Sequence, residues 1–379
     1  MKDRNGWDGK LRLDDPENRR AVLANPEALE DPDYSDEDAP PVEEINADED
    51  LLEDEDPDAE FDLLIHGVKD IDLVHLRISN ITALKLERFT KLEVSHATPT
   101  RPRFDTKNKA LLEIQRLCLR QNQISRIELP STLGATLKEL DLYDNLISHV
   151  KGLDDLVNLT LLDLSFNKIK HIKNVSHLTK LTDIFFVQNR ISTIEGLEEL
   201  VHLRNLELGA NRIREIQGLD NLKALEQLWL GKNKITEMKN LSSLSNLKIL
   251  SIQSNRLTSI TGLNELPNLE ELYISHNALT DLSGLENNKN LRVLDFSNNK
   301  VTKLEGISQL TELEEVWASS NGLSSFEEVE RELSDKKKLE TVYFEGNPLQ
   351  LKSPALYRNK IRLALPQIKQ IDATYVRIS

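Results

Sequence analysis

The stretch Leu162-Asp163-Leu164-Ser165-Phe166-Asn167-Lys168-Ile169 sets two apolar residues two apart, an asparagine three residues later and an isoleucine two beyond that. The frame returns down the chain. Asn145, Asn167, Asn189, Asn211, Asn233, Asn255, Asn277, Asn299 and Asn321 follow one another at intervals of 22, with Asn122 preceding by 23 and Asn347 following by 26. A degenerate unit at Ile71-Asp72-Leu73-Val74-His75-Leu76-Arg77-Ile78 puts Leu76 where the asparagine belongs. A fixed period over about twelve units decides the architecture before any local structure is assigned.

The two apolar residues have period two, so both point inward and the residue between them points out, giving one short strand per unit. The asparagine amide carries two donors and an acceptor, which suits it to bonding backbone groups of its own turn and the next. Apolar residues then recur every third position, as at Ile213, Ile216, Leu219, Leu222 and Leu225. That spacing predicts 3₁₀ turns or short irregular helix on the far side. Asn288 interrupts the series where a leucine is expected. The fold class is an α/β repeat: a leucine-rich-repeat solenoid of about twelve 22-residue units, with a concave parallel sheet and a C-terminal cap. The array is expected over 63–349, with a loop insertion at 95–109, and the cap over 350–379. There Ser353-Pro354 opens a helix with Tyr357, Ile361 and Leu365 on one face.

Charge separates the rest. The chain carries 48 Lys and Arg against 64 Asp and Glu, net −16. Glu30 to Asp62 holds 18 of the acids and no Lys or Arg, so the remainder stands at 48 against 46, or +2. Residues 1–62, rich in charge and proline, are expected to be a disordered acidic tail. A general nucleic-acid binder is disfavoured by this balance. The lone Cys118 leaves no disulfide framework and suits a reducing compartment. No apolar segment follows Met1, and no run of 18 apolar residues occurs, so neither secretion nor a membrane span is expected. The sequons at Asn80, Asn158, Asn174 and Asn240 are read as chance in an Asn-rich repeat.

No catalytic motif survives inspection. Phosphate loop, G-x-S-x-G and H-E-x-x-H are all missing, and one cysteine with eight scattered histidines gives no metal-ligand spacing. No cofactor is expected. Asp141 and Asp163, on adjacent strands, are read as members of an exposed row in an array with no enclosed pocket to tune them. Ser35-Asp36-Glu37-Asp38 resembles an acid-directed kinase site, and Lys336-Lys337-Lys338 reads as a solvated charge run rather than an import patch.

The outward strand position is the informative row: Cys118, Asp141, Asp163, Phe185, Glu207, Trp229, Ser251, Tyr273, Asp295, Trp317, Tyr343. Five of these 11 are aromatic in a chain that is 5% aromatic, four are acidic and none is basic. Flanking Glu139, Asp183, Glu271, Glu315 and Glu345 agree in sign, against Arg116 and Arg120. Exposed aromatics interleaved with carboxylates point to anchors for a protein partner with a basic surface.

Longer runs narrow the reading. Leu140-Asp141-Leu142-Tyr143-Asp144-Asn145, Leu230-Gly231-Lys232-Asn233-Lys234-Ile235-Thr236, Gly284-Leu285-Glu286-Asn287-Asn288 and the end from Glu345-Gly346-Asn347-Pro348-Leu349 to Gln370-Ile371-Asp372-Ala373-Thr374 resemble the leucine-rich-repeat regulatory subunits of protein phosphatase 1, the yeast "sds twenty-two" type, over about residues 63 to 379. The resemblance implies a non-enzymatic protein whose concave face binds the phosphatase catalytic subunit through Asp163, Phe185, Glu207, Trp229, Asp295, Glu315, Trp317 and Tyr343. Trp229 stands where that family usually has Phe. It also implies residence in nucleus and cytoplasm, and a third, inhibitor-type protein as an additional candidate partner. The alternative is a structural scaffold of a nuclear or cytoskeletal complex, which would not need this row.

Overall fold

The computed structural model describes residues 69–86 and 114–376. The acidic tail at 1–62, its Ser35 motif and the insertion at 95–109 lie outside the described residues. Twelve three-residue strands repeat along the array: β1 (Asp70–Asp72), β2 (Arg116–Cys118), β3 (Glu139–Asp141), β4 (Leu161–Asp163), β5 (Asp183–Phe185), β6 (Asn205–Glu207), β7 (Gln227–Trp229), β8 (Ile249–Ser251), β9 (Glu271–Tyr273), β10 (Val293–Asp295), β11 (Glu315–Trp317) and β12 (Thr341–Tyr343). They form one parallel sheet in sequence order, and from β3 to β11 each residue pairs with the one 22 positions on. The degenerate first unit does form β1, and Leu76, in the asparagine's place, is 45% exposed.

The asparagines do what their chemistry predicts. Asn211 Nδ2 donates to Phe186 O (2.8 Å), Leu208 O (3.1 Å) and Gly209 O (3.2 Å), and its Oδ1 accepts from Ile191 N at 2.9 Å. Asn145 through Asn321 repeat this set, each bonding its own turn and the preceding one. The residue before each of these takes a left-handed φ, from 53° to 56°, although few are glycine-like: Phe166, Gln188 and Lys232 are examples. That geometry costs about 1–2 kcal/mol per non-glycine residue, so the amide bonds must outweigh it at every turn.

Behind the sheet, inward residues of each strand and the three-spaced residues of the return path form one continuous apolar core. The return path is a chain of i→i+3 bonds, as in Leu200 N to Leu197 O and Leu203 N to Leu200 O, each 3.0 Å. The array therefore has few helices, because a three-residue apolar period suits tight turns and not a 3.6-residue helix. A left-handed corner precedes this path. Gly196 fills it at φ 72°, where a Cβ would stand 2.6 Å from Ile172 O. Asn174 and Asn240 take the same corner at φ 57° and 58°, and each amide donates to a carbonyl of the preceding turn at 2.7 Å. Asn80 caps the 3₁₀ turn Ile81–Leu84, and Asn158 donates to Gly134 O. All four sequon asparagines thus have backbone-bonding work.

Two positions differ from expectation. Asn288 is fully buried, and its amide donates to Leu263 O and Leu266 O at 3.0 Å, replacing a leucine contact with two bonds to the neighbouring turn. Lys336 is 1% exposed, its ammonium donating to Ser308 O at 2.9 Å, so the lysine run is not uniformly solvated.

The far end is closed by three helices and a hairpin. Ser325 Oγ accepts from Glu328 N to cap α1 (Phe326–Leu333), α2 (Pro348–Leu351) follows Asn347, and α3 (Pro354–Ala364) buries Tyr357 and Ile361. β13 (Gln370–Ile371) extends the sheet in parallel and β14 (Thr374–Tyr375) turns back on it. Asp372 follows β13 in the outward row, and its carboxylate takes the N–H that the next strand's carbonyl accepts elsewhere in the array. Its Oδ1 accepts from Phe344 N (2.9 Å) and Glu345 N (3.2 Å), and Tyr357 OH donates to both carboxylate oxygens.

Asn211→Ala strips the side-chain partner from the buried Ile191 N–H and leaves Phe186 C=O only the longer Asn189 bond, and equilibrium denaturation should show a loss of about 2–4 kcal/mol. Asn246, exposed and holding only Lys223 O, is the control. Its alanine variant should lose less than about 1 kcal/mol, and an equal loss at both sites would refute the ladder as the main tie between turns.

Candidate protein-binding face

Every candidate residue occupies the sheet face: Asp163 on β4, Phe185 on β5, Glu207 on β6, Trp229 on β7, Asp295 on β10, Glu315 and Trp317 on β11, Tyr343 on β12. Successive strands lie about 4.8 Å apart, so side chains in one column touch their neighbours. This packing corrects the expectation of a uniformly exposed row. Asp163, Phe185 and Asp295 are each 2% exposed and Tyr273 is 5%, while Glu207, Trp229, Glu315, Trp317 and Tyr343 are half-buried.

The face divides into an aromatic and an acidic part. Trp229 and Tyr273 stack at 6.3 Å between centroids, Tyr273 meets Trp317 edge-on at 6.2 Å, and Trp317 meets Tyr343 at 5.7 Å. The first two contacts skip a strand. Ser251 and Asp295 occupy the strands between, and their small side chains leave room for the rings to approach. Polar tips are also fixed. Tyr273 OH donates to Glu271 (2.7 Å), Trp317 Nε1 to Glu315 (3.0 Å), and Tyr343 OH accepts from Gln370 (2.8 Å). Trp229 Nε1 is buried with no acceptor among the described residues.

The acidic part spans β3 to β6. Asp141 and Asp163 each accept from the backbone N–H two residues on, at 3.0 and 2.8 Å, and Asp295 does the same with Ser297 at 3.0 Å. Burial and the neighbouring Asp163 push Asp141 up to about 7, against the pull of Arg120 at 3.3 Å. Burial, then Asp163, likewise raises Glu207 to about 7. Asp163 and Asp295 are raised by burial and held back by their serine bonds. Burial in the packed column, with neighbouring charges and hydrogen bonds, tunes these carboxylates, although the array was expected to lack a pocket able to do so. The Cys118 thiol lies 4.0 Å from Asp141 Oδ2, and among the described residues no group of His, Cys, Asp or Glu is placed to hold a metal ion.

The two basic residues flanking the row are engaged: Arg116 lies 3.4 Å from Asp70 and 3.6 Å from Glu139, and Arg120 covers the Tyr143 ring at 4.3 Å. Tyr143, whose ring meets Phe166 at a tilt with centroids 4.7 Å apart, and the buried Asn205 between Asp183 and Glu207 also belong to the face and were not singled out from sequence. Tyr143 lies one step beyond the L-x-L core, where outward alternation alone would have found it.

Comparison with known proteins bears on the repeat fold and on short stretches of sequence. The model for tandem leucine-rich repeats (2 copies) matches residues 201–244, 245–287 and 289–331. Protein phosphatase 1 regulatory subunit SDS22 of Schizosaccharomyces pombe is 71% identical over 52 residues, 14% of this chain and 16% of that protein. SDS22 of Saccharomyces cerevisiae is 48% identical over 54 residues, again 14% and 16%, and human protein phosphatase 1 regulatory subunit 7 is 61% identical over 46, 12% of each. The matched stretches thus span only 12% to 16% of these relatives. Among solved structures, an internalin (InlF) of Listeria monocytogenes superposes with TM-score 0.60 at 21% identity, covering 81% of this chain and 87% of its own. A leucine-rich-repeat protein of Leptospira interrogans gives TM-score 0.52 at 26% identity, covering 68% and 78%. These two likenesses speak for the fold.

The raised carboxylates fix the sign of a pH dependence. Asp141 and Glu207 bind protons more tightly folded than unfolded, so between about pH 4 and 7 the native state holds the extra protons and stability falls as pH rises. The melting temperature of the free protein should therefore rise by a few degrees from pH 8 to pH 6. Asp141→Asn with Glu207→Gln should flatten that slope, measured by calorimetry across the same range.

Proposed function

We propose, from the premise that the chain is a leucine-rich-repeat protein of the SDS22 type, that it is a non-catalytic regulatory subunit holding the catalytic subunit of a type-1 protein phosphatase on its concave face. The single observation that carries this reading is the pre-assembled column Trp229–Tyr273–Trp317–Tyr343 beside buried carboxylates whose charge the fold disfavours. Rings already packed against one another lose little rotamer freedom on binding, and aromatic anchors in desolvated centres dominate interface energies.

The acidic end supplies orientation. A basic surface placed against Asp141, Asp163 and Glu207 offsets their mutual repulsion and draws their pKa values down, so binding releases protons. Affinity should consequently increase from pH 6 to pH 8, the reverse of the free protein's stability. Holding the phosphatase there would act on its assembly, its location in nucleus and cytoplasm, or its choice of substrate, and an inhibitor-type third protein would join at surfaces the concave face leaves free.

Calorimetry against purified catalytic subunit tests this. Trp229→Ala or Trp317→Ala should each weaken binding by about 2 kcal/mol or more. Because Trp317 touches both Tyr273 and Tyr343, its loss should also lower stability by about 1 kcal/mol. Glu207→Lys should slow association and change its salt dependence. Unaltered binding by the doubly substituted Trp229 and Trp317 variant would place the interface elsewhere and favour a scaffold role.

A further inference from the structure

Away from the sheet face, at the edge where the chain leaves each strand, the residue after the ladder asparagine is Lys168, Arg190, Arg212, Lys234 and Arg256 in five successive turns. The remaining turns from Asn122 to Asn321 carry Gln123, Leu146, Ala278, Lys300 and Gly322 here, so no acidic residue occupies this position anywhere. Four of the five cations are exposed and Lys234 is half-buried. With strands about 4.8 Å apart, the row extends for about 19 Å.

At its first two members the row deepens into an open cleft of about 510 Å³, lined by Lys151, Lys168, Lys170, Lys173 and Arg190 together with His149 and His171. None of these five cations has a carboxylate within 4.0 Å among the described residues. The neighbouring acids are already engaged: Glu195 lies 3.0 Å from His171, and Lys239 lies 3.0 Å from Glu215 and 3.7 Å from Glu237. The edge is thus a strip of uncompensated positive charge on a chain whose sheet face is acidic.

We propose that this strip is a second docking surface, separate from the sheet face, which takes an acidic protein segment lying extended across successive turns. An extended segment presents same-side carboxylates about 6.8 Å apart, so about six residues would follow the row, with further acids dropping into the cleft. The strip has no aromatic residue in the row on which bases could stack, and single-stranded nucleic acids are held by stacking together with charge. The acidic sheet face also repels a polyanion wider than one strand. A peptide is the occupant that fits.

The test uses the full chain and a fluorescein-labelled 12-residue peptide of alternating Glu and Ser, followed by anisotropy at 50 and 200 mM salt. The wild type should bind in the micromolar range, about tenfold more weakly at the higher salt. A variant combining Lys168→Glu, Lys170→Glu and Arg190→Glu should weaken binding by at least about tenfold, with unchanged phosphatase binding. Lys180→Glu, Lys223→Glu and Lys289→Glu together, the same charge change elsewhere on exposed turns, should leave peptide binding within about twofold. Should the first variant melt early, Lys170→Ala with Arg190→Ala should still weaken binding about threefold. No binding by the wild type, equal loss in both triple variants, or tighter binding of a labelled 12-nucleotide single-stranded RNA than of the peptide would overturn the proposal.

Discussion

One asparagine amide per turn ties each turn of this protein to the one before it. Its two N–H groups and its carbonyl oxygen close bonds that neither turn could satisfy alone, as when Asn211 bridges Phe186 O and Ile191 N. The strands are only three residues long, too short to specify register by their own hydrogen bonds. The ladder supplies it, one bond set per 22 residues, and holds the preceding residue in a left-handed conformation that would otherwise be avoided. Past the last ladder asparagine, Asn347, the Asp372 carboxylate accepts from Phe344 N and takes the Tyr357 hydroxyl of the capping helix. The cap is thus joined to the array by the same chemistry that joins turn to turn.

Strict period then turns sequence columns into surface rows. A residue repeated every 22 positions reappears about 4.8 Å away on the next strand, so any bias at one position becomes a continuous stripe. The outward strand position becomes an aromatic and acidic face, and the position after the asparagine becomes a basic edge. Charges of opposite sign are kept on different sides of the chain with no change in the core. This is why a near-neutral repeat body presents two surfaces of distinct chemistry.

Most of the architecture was legible because the signals were periodic. Strands, ladder, tight return turns and the amphipathic capping helix all follow from apolar spacing and one amide. What escaped reading was set by neighbours across the sheet rather than along the chain. The outward row looked solvent-exposed because alternation says only which way a side chain points. Stacked at strand spacing, Tyr273 is buried between Trp229 and Trp317, and Phe185 and Asp163 are buried within their own column. The raised carboxylate pKa values have the same origin. Asn288 and Lys336 were illegible for a related reason: each satisfies a carbonyl of a turn more than 20 residues away.

The packing that buries the row also bears on its use. A carboxylate at about pKa 7, such as Glu207, is held in a site that disfavours its charge, and Asp163 beside it adds repulsion. Among the described residues the Asn205 bond to Glu207 and the Ser165 bonds to Asp163 offset only part of that strain, and Arg116 and Arg120 lie at the β2 end, engaged with Asp70, Glu139 and Asp141. A sheet face built only for stability would place apolar or neutral residues there, as Ser251 does on β8. Under the proposed function, the cost of keeping that charge in the free state returns as affinity when a cationic partner arrives.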